Sequence, residues 1–176
     1  MSKTIMISAG HSEKDPGAVA GKVREAMVAV QIRDKVLARL KEKGINAVTD
    51  GTIGRNLPLG DAIKILKTAG GLGVEIHLNA AENRAAHGVE ALCKVDKRDK
   101  AIRLCAAVHR TTGITLRGNA GGYKADNSGQ HAKLGFCEAG GIILEVGFIS
   151  SPTDLKALQD NIDALSDAIA DEMATW

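Results

Sequence analysis

The sequence predicts a single α/β domain, a mostly parallel twisted sheet of about five to six strands flanked by helices on both faces. Three observations predict it. Short aliphatic runs bounded by turn residues alternate with longer segments of helical periodicity, the pattern of a sheet wound by helices. The apolar runs are nearly continuous, as expected of strands buried on both faces. At 176 residues, with no linker or internal repeat, the chain fits one unit with a substantial core.

The elements follow in order. Residues 5–9 are an aliphatic run and read as a buried strand. His11 stands where that strand gives way to a loop punctuated by Asp15-Pro16-Gly17. Residues 25–43 form the clearest helix, with Glu25, Ala29, Ile32, Val36 and Leu40 on one stripe. Lys41 and Lys43 suit its C-terminal dipole, and Gly44 ends it. A strand over 45–49 and a turn at Asp50-Gly51 come next. A helix over 59–69 turns Ala62, Ile63 and Leu66 inward and closes at Gly70-Gly71.

Residues 73–79 make a second apolar strand carrying His77, followed by a polar loop over 80–87 and a strand over 88–95. The next helix opens at Asp96, lines one face with Ala101, Leu104, Cys105 and Val108, and stops at Gly113. Residues 115–130 are rich in Gly, Asn and charge and read as a long loop without elements of its own. An aliphatic run over 141–149 suits a central strand. Ser151-Pro152-Thr153-Asp154 has the form of a helix start, with Pro at the first helical position. The closing helix shows Ile162, Leu165, Ile169 and Met173 at spacings of three and four.

Composition excludes several classes of function. Two Phe, one Tyr and one Trp leave no aromatic platform for stacking bases or sugars, so the core must be aliphatic. A formal net charge of +2 without a basic block argues against nucleic acid as a partner. No stretch approaches the ~20 apolar residues of a membrane span, and Met1-Ser2-Lys3 runs straight into the first strand without a signal peptide. The expectation is a chain made in the cytoplasm with no stable membrane association. Cys93, Cys105 and Cys137 are odd in number and widely spaced, which reads as buried, reduced thiols.

The chemistry gathers at three element ends. His11 ends one strand, His77 sits near the end of another, and Glu25 opens a helix on its inward stripe. A carboxylate on an apolar stripe needs a partner or a metal. Two histidines and a glutamate from separate elements make a three-ligand set for one catalytic zinc, with a fourth position for water. Hydrolysis by a metal-bound water also needs a group to move protons. Glu145 is chosen because it interrupts the aliphatic run Ile142-Ile143-Leu144-Glu145-Val146. Glu75 is the rival, expected on the opposite face of its strand from His77, where it would support a ligand from behind or form a salt bridge. Glu90 and Asn79 are expected to orient a ligand histidine, and His87, His109 and His131 to be solvated or structural.

Gly10-His11 with Asp15-Pro16-Gly17-Ala18, then Glu25, then Ile76-His77-x-Asn79, then Leu144-Glu145-Val146-Gly147-Phe148-Ile149-Ser150, occur in that order. The chain thereby resembles the zinc-dependent N-acetylmuramoyl-L-alanine amidases of the Amidase_3 type over about residues 4 to 170. Departures from the pattern include Ser12-Glu13-Lys14 in place of glycines, Glu at position 75 where Ser is usual, and Gly70-Gly71 in place of Ala-Asp. Arg117-Gly118 resembles a further family motif. The resemblance implies that His11, Glu25 and His77 hold zinc, that Glu145 is catalytic, and that the substrate is peptidoglycan, cut between N-acetylmuramic acid and L-alanine.

A cytoplasmic form over residues 1–176 with no wall-binding module further resembles a phage endolysin delivered through a holin, acting on the wall after release. A bacterial autolysin is the alternative origin. A zinc peptidase or deacetylase with the same ligands is the alternative activity, and a peptidoglycan-binding pseudo-enzyme the non-catalytic one.

Overall fold

A computed structural model describes residues 3–128 and 133–176; His131 lies outside the described residues. The opening aliphatic run is strand β1 (Ile5–Ala9), buried at every position. A small hairpin, β2 (Val19–Ala20) with β3 (Val23–Arg24), leads into helix α1 (Glu25–Glu42). All five residues of its predicted stripe are buried, and Gly44 follows it at φ 72°. The strand expected over 45–49 shortens to β4 (Ala47–Val48).

The turn expected at Asp50-Gly51 is instead the start of a hairpin, β5 (Gly51–Thr52) with β6 (Arg55–Asn56), whose tip carries Gly54 at φ 75°. Helix α2 (Leu59–Thr68) buries Ala62 and Leu66, while Ile63 is only half-buried. Strands β7 (Gly73–Asn79) and β8 (Glu90–Cys93) follow, then helix α3 (Arg98–Thr112), whose predicted face is buried and which stops at Gly113 in the left-handed region.

The segment 115–130 departs from expectation. Tyr123–Ala125 forms β9, which pairs in parallel with β8 and is the sixth strand of the sheet. Three residues are too few for a period of their own; the open edge of β8 supplies the order. A short helix, α4 (Gly135–Glu138), contains Cys137. Strand β10 (Ile142–Phe148), α5 (Pro152–Asp160) and α6 (Ile162–Ala174) complete the chain. Ser151 caps α5 by accepting the backbone N–H of Asp154 at 3.2 Å.

The sheet order is β4-β1-β7-β10-β8-β9, parallel at every pairing except β10 with β8. Alternation along the strands divides its two faces. Ile5, Ile7, Val74, Ile76, Ile142 and Leu144 enter the larger core under α1, α3 and α6. Met6, Ile143 and Leu92 enter a smaller core with Ala62 and Leu66 of α2 and Phe136 of α4. That second face is covered only part-way along the strands. The next positions on it are polar: Ser8 on β1, Glu75 and His77 on β7, Glu145 on β10, Glu90 on β8. The site lies there, past the edge of the smaller core.

The three cysteines are free and buried, as expected, and burial pushes each thiol up to about 12. A thiol so placed stays protonated, and is a poor nucleophile, at neutral pH. Replacing Cys93, Cys105 and Cys137 together by Ala should cost on the order of 1 kcal/mol each in stability. Bound metal and specific activity of the folded protein should not change. Metal analysis checks this, and loss of metal in any folded single variant would contradict it.

Candidate metal centre

His11 leaves the end of β1 with φ 66°, the one positive φ outside glycine among the described residues. The left-handed region costs a β-carbon-bearing residue free energy, so something must hold it. Asn56 does part of this by donating its side-chain amide to the carbonyls of Ala9 and His11, the latter at 2.8 Å. Asp15 does the rest: Oδ2 lies 3.0 Å from His11 Nδ1, and Oδ1 accepts the Gly17 N–H at 3.0 Å. The Asp15 hydrogen bond leaves His11 Nε2 pointing inward.

Glu25 meets it there. Its Oε2 lies 3.0 Å from His11 Nε2 and accepts the Ala18 N–H at 3.0 Å. Its Oε1 lies 3.0 Å from His77 Nδ1 and accepts the Leu78 N–H at 3.0 Å. Burial alone would raise the Glu25 pKa, but the two imidazoles and two backbone donors outweigh it and hold the carboxyl well below its ordinary range. His11 is correspondingly raised, mainly by Glu25. Burial pulls His77 down, yet Glu25, Glu75 and the charge of Glu145 hold it up at about 10. One carboxylate thus joins two histidines whose rings meet edge to face, centroids 5.0 Å apart.

The ligand atoms of His11, Glu25 and His77 all lie within 4.8 Å of one another. Two glycines make room for them. A Cβ on Gly10 would fall 2.2 Å from His77 Cε1, and one on Gly17 would fall 2.7 Å from Glu25 Oε2. The centre opens to a cleft of about 380 Å³ lined by His11, Asp15, Leu59, Glu75, His77 and Phe136.

Glu145 stands beside His77 in the register of β7 and β10, and beside Glu90 in that of β10 and β8. Burial raises its pKa from 4.5 to about 7, against the pull of His77. Its Oε2 is buried and has no hydrogen-bond partner among the described residues. Such an atom costs about 1–3 kcal/mol unless a cation or a reacting group is there to meet it. The donor set and this orphan oxygen fit a divalent, zinc-like cation bound between His11, Glu25 and His77.

Other expectations need correction. Glu75 shares a face with His77, because residues two apart on a strand point the same way; its Oε2 lies 3.2 Å from His77 Nε2. Among the described residues, Glu90 and Asn79 bond no histidine. Glu90 instead accepts the Asn79 amide and the Arg117 Nε–H, each at 2.9 Å. Arg117 thereby ties the start of the segment after α3 to the strands, with its guanidinium 4.7 Å from the centre of the Phe148 ring. His87 and His109 bond backbone carbonyls, as structural histidines do. Asp15 stands in the turn and in the family motif, but its contact with His11 is signalled in the sequence only by a carboxylate four residues after a candidate ligand.

The sequence matches the N-acetylmuramoyl-L-alanine amidase family (Amidase_3) over residues 5–175. The chain belongs to this family. It is 41% identical to a Neisseria meningitidis chain assigned as an N-acetylmuramoyl-L-alanine amidase, with a TM-score of 0.88 and coverage of 98% of this chain and 94% of that one. The catalytic domain of the Paenibacillus polymyxa amidase CwlV shares the fold at 24% identity and a TM-score of 0.80, covering 98% and 97%. The uncharacterized Bacillus subtilis protein YqiI is 26% identical over 158 residues, 89% of this chain and 75% of its own. The chain is thus an amidase-family hydrolase of peptidoglycan with a mostly parallel six-stranded sheet.

Proposed function

We propose that this chain is a zinc-dependent hydrolase of the amide bond between N-acetylmuramic acid and the L-alanine of the stem peptide. The observation that carries the reading is the Glu25 carboxylate shared between His11 Nε2 and His77 Nδ1, with the unpartnered Glu145 oxygen in the neighbouring strand. His11, Glu25 and His77 would hold one zinc. Bound there, zinc supplies Lewis acidity that polarises a carbonyl and makes water easier to deprotonate.

The remaining steps fall to the protein's own groups. Glu145, beside His77 in the strand register, can take a proton from water at its carboxylate and return it to the leaving alanine nitrogen. The cleft between His11 and Phe136 gives the stem peptide access to that side of the sheet. The 41% identity with a bacterial chain favours a bacterial wall-remodelling enzyme over a phage endolysin.

The test is product analysis on purified peptidoglycan incubated with zinc-loaded protein. Free N-terminal alanine together with glycan chains bearing intact lactyl groups is expected. New amino ends at other residues of the peptide, or deacetylated sugars, would replace this reading with a peptidase or a deacetylase.

A further inference from the structure

An arginine is among the most deeply buried side chains of the molecule. Arg33 lies on the inward stripe of α1 with no exposed surface. Its Nη1 donates to Asp50 Oδ1 and Asn56 Oδ1, both at 3.2 Å, and its Nη2 to the carbonyls of Thr52 at 3.1 Å and Arg55 at 2.7 Å. These partners come from the β5–β6 hairpin and its flanks, so the hairpin is folded around the guanidinium. Burying such a group yields little stability over an apolar replacement of the same size, and a specific role is the better-attested reason to keep it.

Two arms lead from it to the metal centre. In one, Asn56 holds the His11 carbonyl. In the other, Asp50 Oδ2 accepts the Ser8 hydroxyl at 2.7 Å, Ser8 Oγ lies 3.3 Å from Glu75 Oε1, and Glu75 Oε2 lies 3.2 Å from His77 Nε2. Glu75 is buried, and the His77 ring packs against Gly10 where a side chain would otherwise stand. The imidazole therefore has one carboxylate at each nitrogen, Glu25 at Nδ1 and Glu75 at Nε2.

We propose that Glu75, anchored through Ser8 and Asp50 to Arg33, is a positioning residue that keeps the proton of His77 on Nε2 and leaves Nδ1 bare for the metal. This rests on reading His11, Glu25 and His77 as a metal centre. A neutral imidazole carries one N–H, and the nitrogen opposite the metal needs an acceptor to fix tautomer and ring angle. Nδ1 is the nitrogen that converges with Glu25 and His11, so the proton belongs on Nε2 and its acceptor is Glu75. Removing such an acceptor typically weakens metal binding 10–100-fold.

The first experiment is a titration of the wild-type protein with zinc against a competing chelator. Failure to bind one zinc would overturn the metal reading and this proposal together. With zinc bound, nitrogen-15 NMR of the wild-type imidazoles should show His77 protonated at Nε2; protonation at Nδ1 would overturn the proposal alone, with no variant needed. Glu75→Ala and Ser8→Ala should then bind zinc about 10–100-fold and a few-fold more weakly, respectively, and the cobalt-substituted Glu75→Ala protein should show a shifted visible spectrum. Glu75→Gln should recover most of the affinity, because its amide oxygen still accepts the N–H. The melting temperature of the metal-free proteins separates this from a general loss of packing. Wild-type affinity and an unshifted cobalt spectrum in a folded Glu75→Ala protein would overturn the proposal while leaving the metal centre standing.

Discussion

Glu145→Gln is expected to keep the fold and one bound zinc while losing about 10²–10⁴-fold in turnover, the usual contribution of a positioned proton-transfer group. Gln matches Glu in size and reach but cannot accept the proton of the attacking water. Glu145 lies on a buried strand beside His77 without replacing any of the three converging ligand atoms, so metal content should be spared. Turnover on purified peptidoglycan measured beside zinc stoichiometry checks this. Activity within about tenfold of wild type would require a different base.

The same substitution has a pH signature in the metal-free protein. The Glu145 pKa is about 7 in the folded chain against an ordinary 4.5, so the folded state binds this proton more tightly than the unfolded state. Its contribution to stability is therefore full below about pH 4.5 and is lost as pH rises through about 7. A rise from 4.5 to about 7 corresponds to about 3 kcal/mol. Glu145→Gln should gain on wild type in melting temperature between pH 5 and pH 8, and a difference independent of pH would contradict the assignment.

How much of this was legible depends on where each signal resides. Glu25 could be picked out because a carboxylate on the stripe with Ala29, Ile32, Val36 and Leu40 conflicts with burial. Glu145 could be picked out for the same reason within β10. Both conflicts are local, and the resemblance to a family named the same residues. Alternation in β7 also carried the placement of Glu75 beside His77, since positions 73, 75, 77 and 79 share a face; the error lay in reading residues two apart as opposed.

Arg33 is a different case. Apart from the adjacent Asp34, its partners lie 16 to 23 residues away in the chain, around a hairpin of two-residue strands. A basic residue in a helix is usually solvated, and only the folded hairpin makes this one buried. Tyr123–Ala125 is similar: the neighbouring edge, more than its own residues, makes it a strand.

The largest expected effect is that of removing the metal or a ligand. Chelation should abolish activity and lower the melting temperature, because a cation that binds only the folded state stabilises it by about 4 kcal/mol when present at a thousand times its dissociation constant. For a chain of this size that amounts to roughly 8–16 °C. Added zinc should restore both. Because both histidines must be neutral to ligate, binding should release protons and weaken as pH falls. His77→Ala removes one ligand and leaves Glu25, Glu75 and Glu145 around a space without its imidazole. Zinc and activity should both be lost, and chelator should no longer shift the melting temperature. Stoichiometric zinc in folded His77→Ala, or full turnover in wild-type protein stripped of metal, would show that the His11, Glu25 and His77 set is not the catalytic metal centre.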